Sequence, residues 1–177
     1  MTTLDTPPPP ALPHDGHIDV ERFRHALALH AAGVTAITAR VGGVPIGLTA
    51  TSFTGVSAEP PLVSFCVATT STTWPRLRRA TGFAVALLAD DQHDLATRFA
   101  TRGADRFAEP TRWSSGPEGV PVLDGAVAHL FCVPHERLLV GDHWLVVGRV
   151  VETLLDPSKR PLLYFRRAFG AFSPRTA

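Results

Sequence analysis

The run Thr49-Ala50-Thr51-Ser52-Phe53-Thr54-Gly55-Val56-Ser57 carries five hydroxyls in nine residues. Each hydroxyl both donates and accepts, and Gly55 permits a tight backbone path. Such a stretch can offer neutral hydrogen-bonding groups to an anion or to the edge of a heteroaromatic ring. The alternative is a Thr/Ser-rich strand whose hydroxyls satisfy its own backbone, and the residues alone leave both open. A second hydroxyl cluster, Thr69-Thr70-Ser71-Thr72-Thr73, precedes an expected helix. Free N–H groups and the dipole at a helix start favour anions, while simple N-capping is the plainer account. Gly141-Asp142-His143 stands before a strong strand pattern. A histidine there either orients a ligand or shuttles a proton, or merely ends a turn.

Several chemistries lack their parts. Cys132-x-x-His135 supplies only two ligands and has no second cysteine pair to complete a zinc site, so no metal centre is expected. The eight histidines form no HExxH, Gly55-Val56-Ser57-Ala58-Glu59 ends in Glu where a nucleophile elbow has Gly, and neither a Walker loop nor GxGxxG is present. Cys66 lies within the apolar run PLVSFCVA and reads as a buried, inert thiol. A chain this plain becomes an enzyme most readily by borrowing a cofactor.

The elements that would position these residues follow from periodicity. Val20, Phe23, Leu27 and Ala31 fall on one face of a helix over residues 18–32, with Asp19 as cap and Gly33 as stop. Strands are expected over 34–41 and 44–50 around a Gly42-Gly43 turn, then over 61–68, which is apolar on both faces and so expected to be central. A short helix at about 73–80, a strand at 83–88 and a second helix at 91–101 come next. Residues 103–119 read as a loop containing Phe107 and Trp113. Long strands at 126–138 and 143–155 and a last one at 162–165 complete the pattern. Strands outnumber helices and their connections are short, which points to a mainly β, antiparallel barrel or sandwich with two or three peripheral helices.

The 177 residues fit one domain, expected over 18–177, behind a tail over 1–17 that contains Pro7 to Pro10. Seventeen Lys+Arg against sixteen Asp+Glu leave a charge of +1, no excess with which to hold nucleic acid or an anionic membrane. No apolar run reaches the roughly 18–20 residues of a membrane span. The first residues lack the basic and apolar regions of a secretory signal. With two cysteines and no disulfide framework, the cytoplasm is the expected compartment.

Taken together, Gly33-Val34-Thr35-Ala36-Ile37-Thr38, Gly47-Leu48-Thr49-Ala50-Thr51-Ser52-Phe53 and Val56-Ser57-Ala58-Glu59-Pro60-Pro61-Leu62-Val63 resemble the flavin reductase family. So do Phe99-Ala100, Asp105-Arg106-Phe107, Gly125-Ala126-Val127-Ala128, Gly141-Asp142-His143 and Pro161-Leu162-Leu163-Tyr164. The likeness covers residues 20–172 and is strongest to the short NAD(P)H:flavin oxidoreductases of two-component monooxygenases. It implies a Greek-key split β-barrel of the FMN-binding type, assembled as a homodimer. It also implies FMN or FAD, with NADH or NADPH as reductant and a flavin-dependent monooxygenase as recipient of the reduced flavin. By this resemblance Thr49, Ala50, Ser52 and Phe53 line the flavin, Ser57 lies nearby, and Phe65, Cys66 and Val67 form the strand beside it. Ser71 and Thr73 contact its phosphate, and Phe99 and Ala100 belong to the helix reaching the adenine or phosphate side. His143 meets and positions the nicotinamide nucleotide, and Tyr164 lies in the segment closing that site. No residue is expected to act as a nucleophile; hydride passes between cofactors. The chain departs from the family where Ala32-Gly33-Val34-Thr35-Ala36-Ile37 replaces Thr-Gly-Val-Thr-Val-Val, and where Phe169 stands in place of a frequent tyrosine.

Three other functions fit the same residues less well. A non-catalytic flavin binder would not need Gly141-Asp142-His143. A dimeric interaction protein without cofactor would not need the hydroxyl-rich segment. An oxidase of pyridoxamine phosphate would want a more basic phosphate site than 49–57 supplies.

Overall fold

A computed structural model describes residues 17–175. The tail expected over 1–17 lies, apart from His17, outside the described residues. In chain order the elements are α1 (Val20–Leu27), β1 (Ala32–Gly33), β2 (Thr35–Val41), β3 (Val44–Ala50), β4 (Thr54–Ser57), β5 (Leu62–Ala68), α2 (Trp74–Leu77), β6 (Phe83–Leu87) and α3 (His93–Ala100). Then come β7 (Trp113–Ser115), a single 3-10 turn Pro117–Gly119, β8 (Pro121–Leu123), β9 (Ala128–Val140), β10 (His143–Leu155), β11 (Leu162–Phe165) and β12 (Ala168–Ala171). The described residues are mainly β with three α-helices. None of the helices among the described residues is long and apolar enough to cross a membrane.

Gly42 and Gly43 take positive φ, 59° and 77°, which a two-residue hairpin needs at both central positions and glycine adopts without strain. They fold β2 back on β3 as expected. Seven strands then run β3-β2-β6-β9-β10-β5-β4, every pair antiparallel. Smaller sheets β1-β11-β12 and β7-β8 flank it. Alternation along each strand sends one set of side chains inward. Ile46 and Leu48 from one end of the large sheet and Val63, Phe65 and Val67 from the other share a single buried cluster with Ile37, Val85 and Val146. The Phe65 and Phe83 rings meet edge-on at 5.6 Å inside it. A sheet whose two ends pack against one another must curl, because burying both apolar faces in one core is the largest favourable term available. Among the described residues β3 and β5 exchange no ladder. The Ser52 Oγ just past β3 instead accepts the Cys66 N–H of β5 at 2.8 Å.

Three expectations change. β5 is one place in from the edge, flanked by β10 and β4, and its second face looks into a cleft rather than a core. The helix expected over 18–32 is only Val20–Leu27, and none of its residues is buried. Val20, Phe23 and Leu27 remain 58%, 48% and 54% exposed. The periodicity is real, but nothing among the described residues covers the face it creates. The expected loop at 103–119 also contains β7 and the 3-10 turn, held by Phe107 packing edge-on against Phe99 at 5.3 Å and Trp113 at 5.4 Å.

Among the described residues Ser52 is the hydroxyl that ties the two ends of the sheet. Ser52→Ala is expected to cost about 0.5–1.5 kcal/mol, the net worth of one hydrogen bond, and to speed exchange at the Cys66 amide. Unchanged protection of that amide would show the tie to be idle.

Candidate functional site

Between the end of β3, the outer face of β5, the 70–73 loop and the C-terminal end of α3 lies an open cavity of about 420 Å³. Ten of the expected site residues line it: Thr49, Ala50, Ser52, Cys66, Val67, Ser71, Thr73, Phe99, Ala100 and His143. Four do not. Phe65 is 1% exposed on the inner face of β5, because strand alternation turns it away from its neighbour Cys66. Phe53 packs against the main core. Ser57 ends the edge strand β4 and is half-buried away from the cavity wall. Tyr164 lines a neighbouring cavity that shares Thr51 and Ser52 with this one, and its ring meets Phe169 at 5.3 Å.

Much of the hydroxyl density serves the backbone. Thr49 Oγ1 donates to the Ala96 carbonyl at 2.7 Å, fastening α3 to β3. Ser71 Oγ accepts from the N–H groups of Thr73 and Trp74, both at 3.3 Å. This corrects the helix-start argument: α2 has four residues, and two of its leading N–H groups are already turned to Ser71. Each oxygen keeps a remaining lone pair or proton for a ligand. Cys66, expected buried, is half-exposed in the wall, since β5 has no second core behind it. The other thiol, Cys132, is buried, and desolvation pushes its pKa up to about 12, so it is inert.

The positive charge comes from two residues to which sequence reasoning gave no role, Arg102 and Arg106. Arg106 is held by donating from Nε to the Phe99 carbonyl at 2.9 Å and from Nη2 to the Thr101 carbonyl at 2.8 Å. Burial draws its pKa below the ordinary arginine value, yet a guanidinium keeps its proton at neutral pH. Two arginines directly after a helix end that reaches a phosphate were the available signal. Among the described residues no carboxylate lines this cavity.

His143 stands where β10 begins. Its Nδ1 lies 2.7 Å from the Asp142 Oδ1, while the Asp142 carbonyl accepts both the N–H and the hydroxyl of Thr69 at 2.9 and 3.0 Å. The turn is thus clipped to the cavity rim, and Nε2 of His143 is left for a ligand. The hydrogen bond from His143 is the first cause holding the Asp142 carboxyl below its usual value; the charges of His143 and Arg24 act the same way. A depressed folded pKa stabilises the fold above the unfolded carboxyl value, and that contribution disappears as pH falls through the folded one. His143→Ala is therefore expected to raise the Asp142 pKa toward the ordinary range in a carboxyl-carbon NMR titration. An unmoved titration would show that the pair is not formed.

This cavity can accept a flat ring with an anionic tail: it falls within the roughly 300–1,000 Å³ of small-molecule sites, hydroxyls rim it, and guanidiniums mark one end. The protein-family model described as "Flavin reductase like domain" matches residues 27–173. The chain belongs to that family. Its relatives include the reductase subunit HsaB of a flavin-dependent monooxygenase from Rhodococcus jostii, 40% identical over 157 residues, covering 89% of this chain and 80% of that protein. An NADH:riboflavin 5′-phosphate oxidoreductase from Streptomyces pristinaespiralis is 40% identical over 180 residues, covering 99% and 98%. Among solved structures, the Streptomyces globisporus NADH:FAD oxidoreductase SgcE6, in complex with NAD and FAD fragments, superposes with a TM-score of 0.84 at 36% identity, covering 90% and 96%. For this flavin reductase family member, hydroxyls, arginines and a rim histidine around an open cleft are residues that fit a flavin.

Proposed function

We propose that the protein is an NAD(P)H:flavin oxidoreductase that supplies reduced FMN or FAD to a flavin-dependent monooxygenase. The observation that carries this is the carboxylate-free cleft with Arg102 and Arg106 at one end and His143 on its rim, in a chain of the flavin reductase like family. The names of the Rhodococcus and Streptomyces relatives support both the reaction and the monooxygenase partner.

Thr49, Ala50, Ser52, Cys66 and Val67 would wall the ring, and Ser71, Thr73, Arg102 and Arg106 would hold the phosphate beside Phe99 and Ala100. The direct flavin roles of Phe53, Ser57 and Phe65 are set aside. When bound, the flavin accepts a hydride from the reduced nicotinamide. The protein's own part is orientation. Neutral donors of the wall and fixed guanidiniums stabilise negative charge without reorganising, and the His143–Asp142 pair positions the dinucleotide from the rim. His143→Ala is expected to raise KM for NAD(P)H more than the flavin Kd; equal losses would remove that role.

Residues 18–177 are proposed as one Greek-key split-barrel domain, the split lying where Ser52 meets Cys66. A homodimer is supported by the uncovered apolar face of α1 and by the exposed Leu138, Leu139 and Val140 at the tip of β9. The cytoplasm fits two free thiols.

Delivery to a second enzyme requires reversible binding, roughly micromolar or about −8 kcal/mol. Fluorescence titration with FMN and FAD is expected to give dissociation constants of that order. Flavin bound without NAD(P)H oxidation would favour a non-catalytic flavin-binding protein instead.

A further inference from the structure

The cleft continues around the Thr51-Ser52 corner. Those two residues also line a cavity of about 310 Å³ with Leu27, His30, Arg166 and Arg167. The same two arginines line the next one, about 540 Å³, with His25, Ala28 and Leu29. Among the described residues none of these three compartments has a carboxylate in its lining. Cavity-lining carboxylates gather elsewhere, at Asp91, Asp94, Asp124 and Asp156. A net charge of +1 thus conceals a segregation, with cations around three adjoining cavities that share wall residues.

Arg166 and Arg167 form the turn between β11 and β12, and their φ values are 48° and 64°. A hairpin turn of this kind prefers glycine, asparagine or aspartate, and left-handed backbone is a strained position for arginine. Turn chemistry therefore does not account for two arginines here; charge does. Among the described residues neither is ion-paired, whereas Arg160 binds Asp90 at 2.9 Å. The turn is also fixed in place, the Arg166 N–H donating to the Ala28 carbonyl after α1 at 3.0 Å. The Arg166 guanidinium lies over the Phe165 ring at 5.3 Å, which leaves its N–H edge open, and two guanidiniums without a carboxylate partner among the described residues, on a pinned turn, suit bidentate binding of phosphate oxygens.

We infer that Arg166 and Arg167 bind the pyrophosphate of the dihydronicotinamide dinucleotide, in the compartment joined to the flavin cleft through Thr51 and Ser52. This rests on the reductase reading, in which Arg102 and Arg106 already serve the phosphate of the flavin. The adenylate half of FAD has the same chemistry, so the test separates the two sources.

The probe is ADP-ribose, which carries the pyrophosphate without the nicotinamide, titrated by calorimetry into the FMN-saturated protein. Arg166→Ala/Arg167→Gly is expected to weaken ADP-ribose about tenfold or more, as loss of charge-assisted hydrogen bonds does. KM for NADH should rise by a similar factor, with the change in KM rather than kcat, and FMN affinity should hold. Arg167→Gly alone should weaken ADP-ribose while raising the melting temperature, because glycine relieves the turn; a merely structural arginine gives no such opposition. Arg167→Lys should retain part of the affinity. No binding of ADP-ribose by the wild type, or equal binding by the double variant, would overturn the assignment. So would a loss confined to FAD with KM for NADH unchanged, which would give the arginines to the flavin adenylate. If the protein oxidised no NAD(P)H, the reductase reading would fall while the calorimetry still reported on this site.

Discussion

Phe99→Ala is expected to lower folding stability by about 3–5 kcal/mol, the usual cost of emptying a fully buried aromatic site, and to abolish most flavin affinity with it. Phe99 is 0% exposed although it lies at the cavity wall. Its ring occupies the place where Gly47 has no side chain: a Cβ there would sit 2.6 Å from Phe99 Cε1 and 2.8 Å from the Ile37 carbonyl oxygen. The ring then meets Phe107, which meets Trp113, and the Phe99 carbonyl accepts the Arg106 Nε–H. The ring thus docks α3 on β3 and orders the following loop, while the main-chain carbonyl of the same residue holds a site arginine. Urea unfolding and an FMN titration check this together. Lost stability with unchanged FMN affinity would remove α3 from the flavin wall.

Arg106→Ala should weaken FMN roughly 10- to 100-fold, the worth of charge-assisted hydrogen bonds of about 1.5–3 kcal/mol, while changing riboflavin, which lacks the phosphate, far less. Riboflavin is the control because Arg106 also ties its loop to Phe99 and Thr101. A loop disordered by the substitution weakens both ligands alike, whereas a lost phosphate contact weakens FMN alone. Arg102→Ala should act in the same direction with a smaller, more salt-dependent effect, since its side chain is exposed. Equal losses of FMN and riboflavin in Arg106→Ala would mean that the residue works only through its loop.

The parts of the fold that were legible in the sequence are those fixed locally. Gly42-Gly43 forces a hairpin, β10 declares itself by its valine pairs Val146-Val147 and Val150-Val151, and Thr51 and Ser52 of the hydroxyl stretch after β3 do reach the cleft. What escaped depends on how the sheet closes. Whether Phe65 or Cys66 faces the ligand is a matter of parity that only the opposing wall decides. The apolar stripe of α1 correctly signals a helix, but periodicity does not say whether this chain or another covers it. β4, β7 and β12 are three or four residues long, too short to show a period against their turns. Arg102 and Arg106 carry no local signal of a site, which forms only where the helix end and the 70–73 loop come together around them. By the resemblance Tyr164 lies in the segment closing the nicotinamide site; its ring lines the compartment around the Thr51-Ser52 corner, beside Arg166 and Arg167.

The most direct test is the steady-state oxidation of NADH and of NADPH by the purified protein, each with FMN, with FAD and with neither. The account predicts a rate that saturates with flavin for at least one nucleotide and is absent without it. Rates equal to the uncatalysed background in every combination would contradict it.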